Sequence, residues 1–150
     1  MGAQIKIVID APAETVFHVL TDPALSKEWL KGAVETIPAY GPLDRPGARF
    51  KQRFRQGNRW TEYEGHLTEY IPGQVFAAEI QNGPFVSRGK YEVAPLGSQT
   101  SLQFSIEFVG RTLRGRLLCV PLGLFAKVMC RVQVGELKRF VETKKRQGKL

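Results

Sequence analysis

The stretch FKQRFRQGNRWTEYEG, residues 50–65, alternates apolar and polar side chains on both sides of Gly57-Asn58. Strict alternation is the mark of a half-buried strand, and a Gly-Asn dipeptide between two such runs marks a hairpin. With Gly57-Asn58 as a two-residue loop, Phe54 faces Thr61 and Phe50 faces Gly65. The opposite face then sets Arg55 against Trp60, Arg53 against Glu62 and Lys51 against Glu64. Two opposite-charge pairs and one cation–π pair are what a solvated sheet face should carry, which supports the register.

Working outward, the same arithmetic applies at Pro72-Gly73, Asn82-Gly83 and Gly97-Ser98. The first places Leu67 opposite Ala78 and brings Glu69 inward opposite Phe76, at the sheet's edge. The second sets Ile80 against Phe85, Ala78 against Ser87 and Phe76 against Gly89. The third sets Val93 against Leu102, Tyr91 against Phe104 and Gly89 against Ile106. All four turns agree on one inner face, and a slip of one residue anywhere would break the agreement. That face holds Phe50, Gln52, Phe54, Thr61, Tyr63, Leu67, Phe76, Ala78, Ile80, Phe85, Ser87, Tyr91, Phe104, Ile106 and Phe108. Small residues (Gly65, Ala78, Ser87, Gly89) sit in mid-sheet among large ones. They are either bends that curve the sheet or the floor of a void.

The rest of the chain frames this meander. Gln4 to Ile9 alternates as a strand. Asp10 is placed to cap a helix whose stripe is Ala13, Val16, Phe17 and Leu20, and Asp22-Pro23 opens a second short helix with Leu25 and Trp29 one turn apart. Strands separated by turns run from about Val34 to Val109. From about Val120 to Lys145 the pattern is one long helix, with Leu122, Phe125, Met129, Val132, Leu137 and Phe140 on its apolar side and Lys127, Arg131, Lys138 and Lys145 roughly opposite. No linker or repeat divides residues 1–150, which are expected to form one domain.

Composition narrows the partners. The 150 residues are 43% hydrophobic and 24% charged, as in ordinary globular proteins. The longest apolar run, Leu117 to Ala126, is interrupted by Pro121 and Gly123 and is too short to span a bilayer. MGAQIKIVID has no apolar signal region, and Lys6 stands where myristoylation expects Ser or Thr. Cys119 and Cys130 make no disulfide framework, and on one helix they would lie roughly 16 Å apart. A reduced, cytoplasmic protein is expected. The net charge is +8, yet residues 111–150 hold eleven basic and two acidic residues, so the first 110 carry −1. That basic third is either a solvated helix face or a surface for phosphate, anionic lipid or an acidic protein.

IDAPAETVFHVLTDPALSKEW (residues 9–29) resembles the N-terminal signature of the START-like, Bet v 1-related (SRPBCC) superfamily, above all its polyketide cyclase/dehydrase and lipid-transport branch. LTEYIPGQVFAAEI and YEVAPLGSQTSLQFSIEF resemble that branch's central strand–turn–strand segment and late hairpin. The resemblance covers essentially the whole chain. It implies an α+β helix-grip fold: a seven-stranded curved antiparallel sheet around a long C-terminal helix, with two short helices after strand 1. Such proteins bind lipids, sterols, polyketides, hormones or quinones in the cavity between sheet and helix, and a minority catalyse. Fold alone does not choose among these.

The expected ligand-binding residues are Phe50, Gln52, Phe54, Thr61, Tyr63, Phe76, Ile80, Phe85, Ser87, Tyr91, Phe104 and Ile106 from the sheet, with Phe125 and Met129 from the helix. No catalytic residue is assigned, because the inner face lacks His, Asp, Lys and Arg. His66 falls on the outer face opposite Arg49, and His18 on the polar side of the first helix. No metal or cofactor is expected. The leading expectation is a non-catalytic binder of a hydrophobic small molecule. The alternatives are a polyketide cyclase/aromatase using Tyr63 and Tyr91 as donors, or an interaction module of chaperone-activator type that engages a protein partner through the sheet edge or the basic helix, which a solid core would favour. Arg111, Arg114 and Arg116, followed by Leu117-Leu118, are either a plain connection into the helix or a seat on anionic membrane, a contact that would run through residues 111–150. Nucleic acid is not expected, since the aromatics lie apart from the basic residues. No oligomeric state is assigned.

Overall fold

The computed structural model describes residues 2–29, 33–39 and 43–148. Strand β1 (Gly2–Ile9) leads into helices α1 (Ala13–Thr21) and α2 (Pro23–Trp29). Strands β2 (Ala33–Pro38), β3 (Arg49–Gln56), β4 (Arg59–Ile71), β5 (Val75–Asn82), β6 (Phe85–Leu96) and β7 (Gln99–Gly110) follow, then helix α3 (Leu113–Arg146). The seven strands form one antiparallel sheet in the order β1-β7-β6-β5-β4-β3-β2. This is the helix-grip architecture, with the short helices after β1 and the long helix at the end.

Two hairpins have the expected register. Phe54 meets Thr61 and Phe50 meets Gly65 across β3–β4, and Tyr91 meets Phe104 and Gly89 meets Ile106 across β6–β7. On the solvated face the Arg53 guanidinium lies 5.0 Å over the Trp60 ring, and Lys51 pairs diagonally with Glu62 at 3.5 Å.

The other two turns differ in an informative way. Asn82 pairs with Phe85, so the loop is Gly83-Pro84, with Gly83 at φ 72°. A positive-φ glycine followed by proline suits a type II′ loop, whereas a loop at Asn82-Gly83 would have asked Asn82 for positive φ. Every partner across β5–β6 therefore moves by two: Ile80 meets Ser87, Ala78 meets Gly89 and Phe76 meets Tyr91. An even shift leaves the inner face unchanged. At Pro72-Gly73, Ile71 pairs with Val75, giving a longer loop, and an irregularity between Leu67 and Glu69 restores the register at Leu67–Ala78. Between those points Tyr70, not Glu69, meets Phe76. Glu69 turns to the outer face and pairs with Lys90 at 3.1 Å, which corrects its expected inward position.

Asp10 does not cap α1, whose N-cap is Pro12 without a side-chain bond. Instead the Asp10 backbone N–H donates to Glu142 at 2.8 Å, and Lys145 Nζ donates to the Asp10 carbonyl at 3.1 Å, tying the end of β1 to the last turns of α3. Asp22 does act at the start of α2, accepting from the Ala24 N–H at 2.9 Å.

Helix α3 begins at Leu113, earlier than the sequence pattern indicates. The Thr112 hydroxyl caps it, accepting from Gly115 N–H at 3.0 Å, and the helix bends by 57° at Pro121. Gly115 is buried against Pro84, where an added Cβ would sit 1.8 Å from the carbonyl oxygen, so only glycine lets the first turn close on the β5–β6 loop. The buried side of α3 is Cys119, Ala126, Cys130, Val134, Leu137 and Val141. Phe125, Met129 and Val132, expected on that side, are exposed; the Leu122 side chain lies outside the described residues. The helix meets the sheet through the small Cys119, Ala126 and Cys130 in its first two thirds and through Val134, Leu137 and Val141 in its last third. Among the described residues no single helix is long and apolar enough to cross a membrane.

Candidate ligand cavity

A cavity of about 430 Å³ lies between the inner face of the sheet, the α1–α2 corner and α3. Enclosed volumes of this size take one drug-sized molecule. Strand β3 supplies Phe50, Gln52 and Phe54, β4 supplies Tyr63, and β5 supplies Phe76, Ala78 and Ile80. Ser87, Gly89 and Tyr91 come from β6, and Phe104, Ile106 and Phe108 from β7. Trp29, Ser26 and Thr36 close the α2 end, while Met129 and Gln133 reach in from α3.

The small mid-sheet residues divide between the two roles left open by the pattern. Gly65 is filled over: the Phe50 ring lies where its Cβ would be, at 2.7 Å. Ala78, Ser87 and Gly89 face the void, with the nearest atom to a Gly89 Cβ 3.5 Å away on Phe104. Aromatic pairs brace the walls. Tyr91 stacks on Phe104 with centroids 4.4 Å apart, and Phe54 tilts against Tyr63 at 5.6 Å.

Three expected ligand contacts stand elsewhere. Phe85 packs edge-on against Phe108 at 6.0 Å, in a cluster with Cys119 and Ala126. Thr61 lies opposite Phe54 but outside the lining, and Phe125 points to solvent. Sequence reasoning missed Gln133, Trp29, Thr36 and Ser26. Gln133 had a signal, being an uncharged polar residue one turn after Met129 and flanked by Val132 and Val134. The others depend on how α2 and β2 fold over the sheet, which leaves no local trace.

Polar chemistry in the cavity is sparse. The Gln133 side-chain amide donates to the Tyr91 phenol oxygen, leaving the phenolic proton free to donate to a bound carbonyl or hydroxyl. Ser26 Oγ donates to the Pro23 carbonyl at 3.0 Å. Asp22 is the one carboxylate among the lining residues; its Oδ1 accepts from the Ala24 N–H at 2.9 Å, and its Oδ2 lies 3.8 Å from His18 Nε2. Neither His18 nor His66 lines the cavity. Burial pushes the Cys130 thiol up, so it is no ready nucleophile. Among the described residues no group of three or more His, Cys, Asp or Glu side chains could hold a metal ion.

Burial also pushes the Tyr91 phenol well above its usual range, outweighing the opposite pull of Gln133. The folded-state value thus exceeds the unfolded value of about 10. This contribution to stability is whole below about pH 10 and is lost as pH rises through the folded-state value. Alkaline titration of tyrosinate absorbance should therefore show one tyrosine ionising only as the protein unfolds, and Tyr91→Phe should remove that late step. Ionisation of Tyr91 near pH ~10 with the fold intact would contradict its buried setting.

A larger, shallower concavity of about 650 Å³ lies on the outer face of the sheet, bordered by Gln4, Thr68, Arg88, Lys90 and Glu107. Its cations are paired with carboxylates. Glu69 and Glu92 each approach Lys90 to 3.1 Å, Glu69 foremost in raising the lysine pKa, and Arg88 lies 3.0 Å from Glu79. An open groove of paired charges offers no apolar enclosure, so the inner cavity is the candidate site.

A family model described as polyketide cyclase / dehydrase and lipid transport matches residues 3–147. None of the curated proteins matches the sequence. Among solved structures, the di-domain ARO/CYC BexL from the BE-7585A biosynthetic pathway shares 16% identity at a TM-score of 0.76, with 97% of this chain covering 47% of that one. The chain thus spans about half the length of that relative. Zhui aromatase/cyclase from Streptomyces sp. R1128 shares 12% identity at 0.74, covering 96% and 94% of the two chains, and Ara h 8.0201 shares 9% at 0.70, covering 95% and 98%. At such identities the likeness is one of fold.

Proposed function

Because the chain belongs to the polyketide cyclase / dehydrase and lipid transport family, within the START-like, Bet v 1-related superfamily, we propose that it binds one hydrophobic small molecule in the inner cavity without transforming it. The observation that carries this reading is an aromatic-walled space of about 430 Å³ holding hydroxyls and amides but no acid–base pair. Its size suits a single-chain lipid, a quinone or a compound of a few fused rings. Phe50, Gln52, Phe54, Tyr63, Phe76, Ile80, Ser87, Tyr91, Phe104, Ile106 and Met129 are its proposed contacts, with Gln133 and Trp29 added. A cytoplasmic location and peripheral contact with an anionic membrane through residues 111–150 belong to the same reading.

Native mass spectrometry of protein purified from its own host, followed by organic extraction, tests it. A discrete lipophilic adduct is expected. A clean apo mass, together with no thermal stabilisation by fatty acids, naphthoquinones or anthraquinones, would sink it.

One observation favours an enzymatic second reading. The Tyr91 phenol, held by Gln133 and free to donate, faces the same space as Tyr63, and similar folds are found in proteins named aromatase/cyclase. If ring closure is catalysed, Tyr63→Phe combined with Tyr91→Phe should abolish turnover while leaving binding nearly intact.

A further inference from the structure

The outward side of α3 over its first two thirds is apolar where a solvated helix face should be charged. Leu113, Leu124, Leu117 and Phe125 are 75%, 74%, 67% and 62% exposed, and Val128 continues the ridge. Before the bend Leu113 and Leu117 stand one turn apart, and after it Leu124, Phe125 and Val128 share one exposed side, while Cys119, Ala126 and Cys130 are buried. Arg114, Arg116, Lys127 and Arg131 stand among and beside them, and no acidic residue occurs between Glu107 and Glu136. No carboxylate among the described residues pairs with any of these four cations.

The last third of the same helix is different. Arg139 pairs with Glu136, Lys138 with Glu142 and Lys145 with Asp10, and Lys144 lies over the Phe140 ring. The basic C-terminal third therefore contains two unlike surfaces, a tail whose cations are partly paired with carboxylates and an apolar ridge whose cations have none.

We infer that the ridge from Leu113 to Val132, and not the basic tail, seats the protein on an anionic lipid bilayer. Charge complementarity selects this occupant. A second copy meeting the ridge across a two-fold axis would bring like cations together, whereas anionic headgroups neutralise them while the leucines and Phe125 enter the acyl boundary. Met129 belongs to both features, lining the cavity and continuing the exposed surface beside Phe125 and Val132. Docking therefore brings the α3 wall of the cavity to the lipid surface, where a membrane-dissolved lipophile can be exchanged. This last step rests on the cavity reading; the docking itself does not.

The test is co-sedimentation with vesicles of phosphatidylcholine alone and with roughly one third phosphatidylglycerol. Binding is expected only to the anionic vesicles, weakening at least ~10-fold between low and high salt and a further ~10-fold or more for Leu117→Glu and for Phe125→Glu. Both positions are exposed, and unchanged Trp29 fluorescence would confirm that the variants fold. Arg139→Gln, which removes a cation already paired with Glu136, should bind as the wild type does. Absent binding, equal binding to neutral vesicles, equal loss with Arg139→Gln, or a stable dimer dissolved by Leu117→Glu would each overturn the inference. Ala78→Trp, which fills the cavity, should still dock, so failure of docking and failure of ligand binding are read separately.

Discussion

Ala78→Trp should eliminate uptake of lipophiles while leaving the protein folded. Ala78 stands in the middle of β5, between Leu67 of β4 and Gly89 of β6, with its methyl group toward the void. An indole there enters a space bounded mainly by aromatic and aliphatic side chains. Because the void exists before the substitution, the added ring fills volume rather than forcing a packed core apart, which is the usual cost of overpacking. Affinity for any cavity ligand should fall at least ~100-fold, equivalent to about 2.8 kcal/mol. Quenching of Trp29 by a naphthoquinone provides the measurement in the wild type, since Trp29 lines the cavity and the other native tryptophan, Trp60, lies on the outer face. In the variant, ligand-induced thermal shift replaces it, as the new indole also fluoresces. Glu107→Trp, on the outer face of β7, should change neither. Retention of full binding by Ala78→Trp would place the ligand outside this cavity.

Leu137→Ala should cost about 3 kcal/mol, within the 2–5 kcal/mol typical of buried leucines. Leu137 is fully buried in the cluster that joins Ile9 of β1, Val16 and Val19 of α1, Leu102 of β7 and Val134 of α3. Its neighbours are strands and helices already tied by many hydrogen bonds, so the site cannot collapse to fill the gap. For a chain of this length the midpoint of thermal unfolding should drop by roughly 6–12 °C. Leu124→Ala, by contrast, removes an exposed side chain and should change stability by less than ~0.5 kcal/mol. The pair of variants tests the phase of α3. Equal losses at both positions would mean that the helix is rotated from the orientation described.

The inner face of the sheet was legible because alternation has a period of two and the turn dipeptides announce themselves. Phe54 opposite Thr61 and Tyr91 opposite Phe104 follow from counting. Even the two-residue error at Gly83-Pro84 did no harm to the face, since parity survives an even shift. Glu69 was misplaced because the irregularity beside Thr68 has no sequence signature; only Lys90, arriving from β6, gives its carboxylate a partner on the outer face.

Helix α3 marks the other limit. Its first two thirds are apolar on nearly every side, so periodicity supplies no unique phase, and the choice of Cys119, Ala126 and Cys130 as the buried row came from the fit against β1 and β7. The cavity has the same origin. Ala78, Ser87 and Gly89 are small in any arrangement, and whether they become bends, contacts or empty space depends on which rings lean over them. Sequence by itself therefore determined strand order along the chain, the identity of the inner face and the family. Tertiary structure alone decided the phase of the long helix, the volume beneath it and the division of the basic third into a partly paired tail and an unpaired ridge. The first set is written in neighbours a few residues apart, whereas the second arises only when surfaces distant in sequence are packed together.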